Sequence, residues 1–131
     1  MPINRPPVAP QPSRTARGRE AEEKARCFLE GSGLQLITSN YHAPCGEIDL
    51  VMSDGDTIVF VEVRLRRPSR FGDAIESVSA RKCARIVATA EHYLQRHPLL
   101  ANRPCRFDVV AFTGKDVVVA EPRWLQGAFG V

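Results

Sequence analysis

The sequence contains no long apolar run, which excludes a protein anchored by membrane-spanning helices. No hydrophobic segment approaches the roughly 20 residues that a helix needs to cross a bilayer. The N-terminus likewise lacks the apolar core of a secretory signal. These two absences predict a cytoplasmic protein that makes no membrane contact.

Cysteine is scarce, and its spacing is not that of a zinc site. The four cysteines lie 18, 38 and 22 positions apart, without a C-x-x-C pair, at Cys27, Cys45, Cys83 and Cys105. Since export is not expected, disulfides are not expected either, and we predict four reduced thiols. His42 lies three positions before Cys45, but this pair alone does not indicate a catalytic thiol.

Acidic residues are absent from the first nineteen positions, which carry four arginines. Five of the ten prolines fall within residues 1–17, so we predict a flexible arm there, followed by a single α/β domain over residues 18–131. The chain beyond residue 19 holds 14 basic and 15 acidic residues. The net charge of +3 therefore says little about nucleic-acid affinity, which must come from local clusters.

The most informative stretch is GEIDLVMSDGDTIVFVEVR, residues 46–64. It predicts two short strands joined by a turn at Asp54-Gly55-Asp56. Because side chains alternate across a strand, Glu47 and Asp49 share one face of the first strand. The other face is expected to hold Ile48, Leu50 and Met52.

The length of the turn decides whether the acids of the two strands meet. A Gly55-Asp56 loop sets Asp49 directly across from Glu62, whereas an Asp54-Gly55 loop sets Glu47 there with Asp49 on the diagonal. A three-residue loop would separate the acids onto opposite faces. Facing carboxylates repel each other, and a hard divalent cation would reverse that penalty. Solvated acids on an edge hairpin are the alternative, but three acids followed by a basic residue favour a metal site.

Apolar periodicity predicts the other elements. Helices are expected over residues 19–30 and 79–97, and further strands over residues 34–38, 106–112 and 117–120. A polar connection is expected over residues 39–45, and the final WLQGAF is expected to dock as a short helix. The order α-β-β-β-α-β-β predicts an α/β fold with a mixed sheet flanked by helices.

Each helix has a predicted buried stripe, and one charged residue lies on the shoulder of each. The stripes consist of Ala21, Ala25, Phe28 and Leu29 in the first helix and of Cys83, Ile86, Val87, Ala90 and Leu94 in the second. Glu22 and Lys82 lie on the shoulders, from which their side chains can reach the sheet. In the strand RFDVV, Asp108 is expected to have an arginine or a backbone donor as its partner.

Seven basic residues follow the second hairpin strand or end it, accompanied only by Asp73 and Glu76. They are Arg64, Arg66, Arg67, Arg70, Arg81, Lys82 and Arg85. A run of charges is usually a solvated surface. Basic groups beside carboxylates, however, are what a phosphodiester substrate and a cation require.

An ordered series of motifs resembles one protein family. The motif G-x-x-x-E-x-x-A-x-x-F-L over residues 18–29, followed by GEIDLV, FVEVR, FG, a helix with a lysine and RFDVV, resembles the YraN-like family of predicted bacterial endonucleases. That family is similar to archaeal Holliday-junction resolvases. It has the PD-(D/E)xK signature, in which an acid on one strand precedes Glu-x-Lys on its neighbour. The resemblance covers residues 18 to the C-terminus and implies the restriction-endonuclease-like fold.

The resemblance also implies an activity and its site. The catalytic positions correspond to Glu22, Asp49, Glu62 and Arg64, and Asp49 and Glu62 would hold one or two Mg²⁺ or Mn²⁺ ions. The implied substrate is DNA, branched or single-stranded, and a homodimer is one implied assembly. Phosphate contacts are expected from Arg66, Arg67, Arg70 and Lys82.

Arg64 departs from the family pattern, which usually has lysine there. Arginine stays protonated in proteins and cannot act as a general base, although its planar fork can clamp a phosphate. Either no base is needed at this position, or Lys82 substitutes, or catalysis is weak. The alternative function is therefore a nuclease-fold protein that binds nucleic acid without cutting it. A small protein-interaction module would explain neither the acids nor the arginines.

Overall fold

The computed structural model describes residues 16–66, 78–114 and 116–130, without the side chain of Arg66. These residues form two helices and five strands, in the predicted order α-β-β-β-α-β-β. The elements are α1 Ala16–Gly31, β1 Gln35–Ala43, β2 Gly46–Asp54, β3 Thr57–Arg66, α2 Ala80–Gln95, β4 Cys105–Thr113 and β5 Pro122–Phe129. Residues 1–15 of the predicted arm lie outside the described residues. Neither described helix is long and apolar enough to cross a membrane.

The five strands form one mixed sheet, as predicted, in the order β1-β2-β3-β4-β5. The pairs β1–β2, β2–β3 and β4–β5 are antiparallel, whereas β3 and β4 are parallel. A parallel pair needs a long crossover, and here the crossover contains α2. The hairpin β2–β3 therefore lies inside the sheet, with neither of its strands at an edge.

The two helices cover opposite faces of the sheet. On one face α1 packs Ala21, Ala25 and Leu29 against a core that includes Val59, Val61, Val110 and Phe112. On the other face α2 packs Ile86, Ala90 and Tyr93 against Val51, Ile58, Phe60 and Phe107. The hairpin strands are buried from both sides, which explains why they read as nearly continuous apolar runs.

The register of the hairpin agrees with one of the two predicted two-residue loops. Asp54 pairs with Thr57, so Gly55 and Asp56 form the loop. Gly55 has a φ of +60°, in the left-handed region that glycine adopts at little cost. Pairing then continues through Leu50 with Val61. Extended by one residue, this register brings Asp49 across from Glu62, and the three-residue loop is excluded.

Strict alternation fails at one position of β2. Leu50 and Met52 pack on the α1 side, but Ile48 packs on the α2 side, so the prediction that all three share a face is wrong for Ile48. The pairing of β2 with β3 ends at Leu50. Towards Gly46, β1 is the only described strand that pairs with β2, and Ile48 packs against α2.

The predicted polar connection over residues 39–45 is wrong for most of its length, because β1 continues to Ala43. Tyr41 explains why a polar segment stays in the sheet. Its ring packs edge-on against Tyr93 of α2, with ring centroids 4.9 Å apart, and its hydroxyl lies 2.6 Å from Nδ1 of His92. Asn40 takes a φ of +54°, and the register shifts between Leu36 and Thr38. Because of these irregularities, apolar and polar residues do not alternate regularly along β1, so the sequence pattern did not indicate its full length.

The last strand lies later than predicted. Residues 117–119 form a turn, and the segment predicted as a short helix forms β5 instead. Asp108 of β4 explains the difference, because Trp124 Nε1 and Gly127 N of β5 donate to its carboxylate at 2.9 and 3.0 Å. Arg106 Nε also contacts Asp108, at 3.1 and 3.2 Å. The prediction of an arginine or backbone partner for Asp108 is confirmed.

Helix α2 begins and ends close to the predicted positions. Ser79 is its N-cap and accepts a hydrogen bond from Lys82 N at 3.1 Å. The buried stripe is shifted, however: Thr89 and Tyr93 are buried, whereas Cys83, Val87 and Leu94 are only partly covered. Thr89 lies against the β1–β2 turn, where a Cβ on Gly46 would come within 3.0 Å of its Oγ1. Glycine at position 46 thus allows α2 to approach this turn closely.

Candidate functional site

The β2–β3 hairpin opens into a fork at its far end. Leu50 and Val61 form the last ladder pair, after which β2 stays with β1 and β3 stays with β4. The Asp49 side chain fills the gap, where its Oδ2 accepts a hydrogen bond from Val63 N at 2.8 Å. A carboxylate thus satisfies a backbone donor that the sheet leaves exposed. We call Asp49, Glu62 and Val63 the fork.

The two carboxyl groups of the fork lie close enough to share a hydrogen bond. Burial, the charge of Glu62 and the hydrogen bond to Glu62 raise the pKa of Asp49 well above its ordinary value. The amide of Val63 acts in the opposite direction, and the charge of Glu22 adds a further increase. The fork therefore holds a proton more tightly than an isolated aspartate does.

Glu62 is almost completely buried and has two cationic neighbours. Its side chain is 6% exposed, and its Oε2 lies 2.7 Å from Lys82 Nζ and 3.8 Å from Arg64 Nη1. Despite the short distance to Lys82, Oε2 accepts no well-aligned hydrogen bond from the described residues. The contact is thus an ion pair of poor hydrogen-bond geometry, and one lone pair of a buried carboxylate stays poorly satisfied.

A small cavity of about 180 Å³ surrounds the fork. Helix α1 approaches it from one face of the sheet and α2 from the other, because the separated strands leave the sheet open here. Four carboxylates and one ammonium line it: Glu22, Glu47, Asp49, Glu62 and Lys82. The structure therefore brings together the predicted residues Glu22, Asp49, Glu62 and Lys82. We call this space the acid cavity.

Glu47 is a further acid of the acid cavity, beyond those predicted as catalytic. Its Oε2 lies 3.2 Å from Nδ1 of His42 across the β1–β2 pair. The alternation of β2 already placed Glu47 on the face of Asp49, so the sequence carried a signal for it. Glu47 also forms the boundary between the acid cavity and a larger groove.

The larger groove, with a volume of about 860 Å³, runs between the β1–β2 turn and the start of α2. Its polar lining includes Ser79, His42, Glu47, Arg81, Lys82 and Arg85. We call it the basic groove. Arg81 and Arg85 were counted in the basic cluster of the sequence but not among the predicted phosphate contacts.

The remaining predicted site residues are not among the described residues that line the acid cavity. Arg64 lies on the rim of the fork, with its side chain 23% exposed. The backbone of Arg66 ends β3, but its side chain lies outside the described structure, as do Arg67 and Arg70 entirely. The predicted contacts of these three arginines therefore stay predictions.

The donor set of the fork suits a hard cation but does not enclose one. Among the described residues, no three or more His, Cys, Asp or Glu side chains are grouped closely enough to hold a metal together. Two carboxylates, Asp49 and Glu62, converge directly. Mg²⁺ commonly takes one or two protein carboxylates and completes its shell with water and substrate phosphate. Chemically, the arrangement can hold a cation or a proton between two carboxylates, with an ammonium beside them.

Comparison with known proteins identifies the family of the chain. Residues 21–112 match the model described as "Uncharacterised protein family UPF0102", and this span covers both strands of the fork and α2. A UPF0102 protein of Nitrosococcus oceani is 49% identical over 118 residues, which cover 88% of this chain and 92% of the relative. One from Pseudomonas savastanoi pv. phaseolicola is 50% identical over 120 residues, 92% of this chain and 98% of the relative. One from Enterobacter sp. is 50% identical over 119 residues, 90% of this chain and 87% of the relative. The chain belongs to the UPF0102 family.

Proposed function

We propose that the protein is a metal-dependent DNA endonuclease whose reaction centre is the acid cavity. The observation that carries this proposal is the convergence of Asp49 and Glu62 at the β2–β3 fork, with Lys82 at 2.7 Å from Glu62. Facing carboxylates at the end of a central hairpin cost stability unless something cationic joins them. The two carboxylates would bind a divalent ion, and the Lys82 ammonium would contact the phosphodiester substrate.

The fit of a divalent cation rests on the chemistry of the fork. The Oε2 atom of Glu62 is buried without a well-aligned donor from the described residues, and the raised pKa of Asp49 means that a proton partly relieves its repulsion with Glu62. Both features favour replacement of the proton by Mg²⁺ or Mn²⁺, for which carboxylate oxygens are suitable ligands. When bound, the ion would lower the pKa of a water molecule and neutralise charge on the scissile phosphate.

The residues of the chain have separate roles around that ion. Asp49 and Glu62 hold it, and the Val63 amide keeps the Asp49 carboxyl oriented. Glu22 lines the cavity from α1, on the opposite face of the sheet from α2, and would orient the attacking water. Lys82, the described cation nearest to Glu62, would neutralise a phosphate oxygen, and Arg64 would clamp the same group from the rim.

The substrate proposed is branched or single-stranded DNA. Arg66, the last residue of β3, and Arg67 and Arg70, which come after it in the sequence, are proposed phosphate contacts. No base-reading element is required, since a site of this kind can select DNA by its shape. A homodimer would place two such sites on one branched substrate and is proposed as one form of assembly.

A cleavage screen tests this function. The wild type is incubated with Mg²⁺ or Mn²⁺ and labelled single-stranded, flapped, forked and four-way DNA. We expect cleavage of at least one structure, abolished by EDTA and by Asp49→Ala with Glu62→Ala, while the double variant still binds DNA. The matched control is Asp54→Ala with Asp56→Ala, which removes two acids at the other end of the same hairpin. Unaltered cleavage by the Asp49/Glu62 variant would remove both residues from the mechanism.

A second candidate function is DNA binding without cleavage. It is favoured by Arg64, which cannot serve as a general base, and by the ion pair between Lys82 and Glu62, which competes with a cation for that carboxylate. This candidate predicts DNA binding that EDTA does not change and no cleavage with any metal. Metal-dependent cleavage lost in the Asp49/Glu62 variant would exclude it.

A further inference from the structure

We infer that the basic groove binds the phosphodiester backbone of the nucleic-acid strand that passes through the acid cavity. This inference rests on the proposed function and adds to it the path of the substrate. The two spaces adjoin, since Glu47 and Lys82 line both. A strand with one phosphate at the fork can therefore continue along the first two turns of α2, where Arg81, Lys82 and Arg85 line the groove.

The charges of the basic groove favour a polyanion. Arg81, Lys82 and Arg85 line it from α2, and Glu47 is the only acid among the described residues that line it. Glu47 Oε2 lies 3.2 Å from Nδ1 of His42 at the junction of the two spaces. Arg81 and Arg85 are exposed and four positions apart, so they project from the same side of the helix, about 6 Å apart along its axis.

The groove also has the size and composition for a backbone and not for stacked bases. Its volume of about 860 Å³ exceeds what a single phosphate ion needs and is comparable to the sites of sizeable ligands. Among the described residues, no Phe, Tyr or Trp lines it, whereas proteins that hold single strands by their bases stack them on aromatic rings. The hydrogen-bond donors of arginine and lysine instead suit phosphate oxygens.

The β1–β2 turn forms the wall of the groove opposite the start of α2, and it contacts that helix further along. Thr89 Oγ1 lies 3.6 Å from the sulfur of Cys45, and a Cβ on Gly46 would come within 3.0 Å of the same Oγ1. Cys45 is exposed on the groove wall, and it provides a native reporter of occupancy.

The test combines cysteine protection with the salt dependence of binding, both measured in EDTA so that no cleavage occurs. A labelled single-stranded oligodeoxynucleotide should slow the alkylation of Cys45 by N-ethylmaleimide but not that of Cys105, as followed by mass spectrometry. Cys105 is the matched internal control, since it is exposed but pairs with Ile58 at the opposite end of β3 from Glu62.

Arg81→Ala with Arg85→Ala should remove this protection and weaken binding. Each phosphate contact contributes roughly 0.7 to 0.9 to the slope of log affinity against log salt, so the slope should fall by about 1.5. The control is Arg96→Ala with Arg103→Ala, which removes the same charge from exposed positions beyond the other end of α2. That variant should keep both the protection and the slope.

The outcomes separate this inference from the proposed function. Suppose that the wild type binds or cleaves DNA while Cys45 stays unprotected, and that the salt slope of the Arg81/Arg85 variant is unchanged. This result would overturn the assignment of the strand to the basic groove and would leave the nuclease proposal standing. Equal protection of Cys45 by polyglutamate would overturn the assignment to nucleic acid. Absence of any DNA binding by the wild type would overturn both.

Discussion

At the scale of single residues, Asp49 is a position where stability is given up. Its carboxyl lies beside that of Glu62, and burial together with the charge of Glu62 raises the pKa of Asp49. A proton bound more tightly in the folded state than in the unfolded state stabilises the fold at low pH, and this stabilisation is lost as the pH rises. Retaining an aspartate that weakens the fold at neutral pH is typical of residues kept for function.

The variant Asp49→Asn should therefore be more stable than the wild type at neutral pH. The asparagine oxygen can still accept from Val63 N, and its amide can donate to Glu62, without a second negative charge. We expect an increase in Tm of roughly 3–6 °C at pH 7, which corresponds to about 1 kcal/mol in a domain of this size. Thermal denaturation followed by circular dichroism measures it.

The pH dependence of that increase follows from the direction of the pKa shift. The folded-state pKa of Asp49 is raised, so the wild type loses stability as the pH rises above about 4, the unfolded value. The advantage of Asp49→Asn should grow from pH 4 upwards and vanish near pH 4. Asp56→Asn, at the exposed turn of the same hairpin, should show no such trend. An advantage that is the same at every pH would mean that Asp49 titrates normally.

The sequence predicts part of this site because the relevant geometry is local. The alternation of β2 and a two-residue loop were enough to bring Asp49 towards Glu62. The ion pair between Glu62 and Lys82 could not be derived in the same way, because the two residues lie on different elements whose packing depends on the whole core. The basic groove could not be predicted for the same reason, since Arg81 and Arg85 belong to α2 and the opposite wall is the β1–β2 turn.

At the scale of elements, the fold depends on how β5 is joined to the sheet. Trp124 links three elements, since it donates to Asp108 of β4 and its ring meets Phe28 of α1 edge-on, with centroids 6.0 Å apart. Lys24 of α1 donates to backbone carbonyls of the turn that precedes β5, including Val117 O at 2.6 Å. Buried Asp108 therefore organises the C-terminal third of the sheet and takes no part in the acid cavity.

This arrangement also explains why the last strand lies at Pro122–Phe129 and not at residues 117–120, as the sequence predicts. The β-branched run Val117-Val118-Val119 has the composition of a strand, but Val118 and Val119 are 69% and 75% exposed in a turn. The hydrogen bonds from Trp124 and Gly127 to Asp108 outweigh that local preference. They span 16 and 19 positions and leave no trace in the local pattern.

Asp108→Ala should consequently destabilise the protein strongly. It removes the acceptor of Trp124 and Gly127 and leaves the Arg106 guanidinium without its buried partner. We expect a loss of about 3–5 kcal/mol in the free energy of unfolding, as when one member of a buried ion pair is removed. Urea denaturation measures this loss, with Asp56→Ala as the exposed control. A loss below about 0.5 kcal/mol would show that β5 is held by its backbone pairing alone.

At the scale of the whole molecule, the site exists because the central hairpin separates. Each strand of the fork is kept in place by its outer neighbour, β2 by β1 and β3 by β4, and the opening admits one helix from each face. The order of elements along the chain and the mixed sheet could be predicted from the sequence, although the last strand lies later than expected. The separation of β2 from β3 could not, because it reflects the balance between the pairing of each strand with its two neighbours.

The central claim is that Asp49 and Glu62 share one divalent cation at this fork, and calorimetric titration with Mn²⁺ tests it most directly. The wild type should bind the ion, and below the folded-state pKa of Asp49 this binding should release a proton to the buffer, since cation and proton compete for the carboxyl pair. The variant Asp49→Asn with Glu62→Gln, which keeps the shape of both side chains, should show neither binding nor proton release. Unchanged Mn²⁺ binding by that variant, or no binding by the folded wild type, would contradict the account.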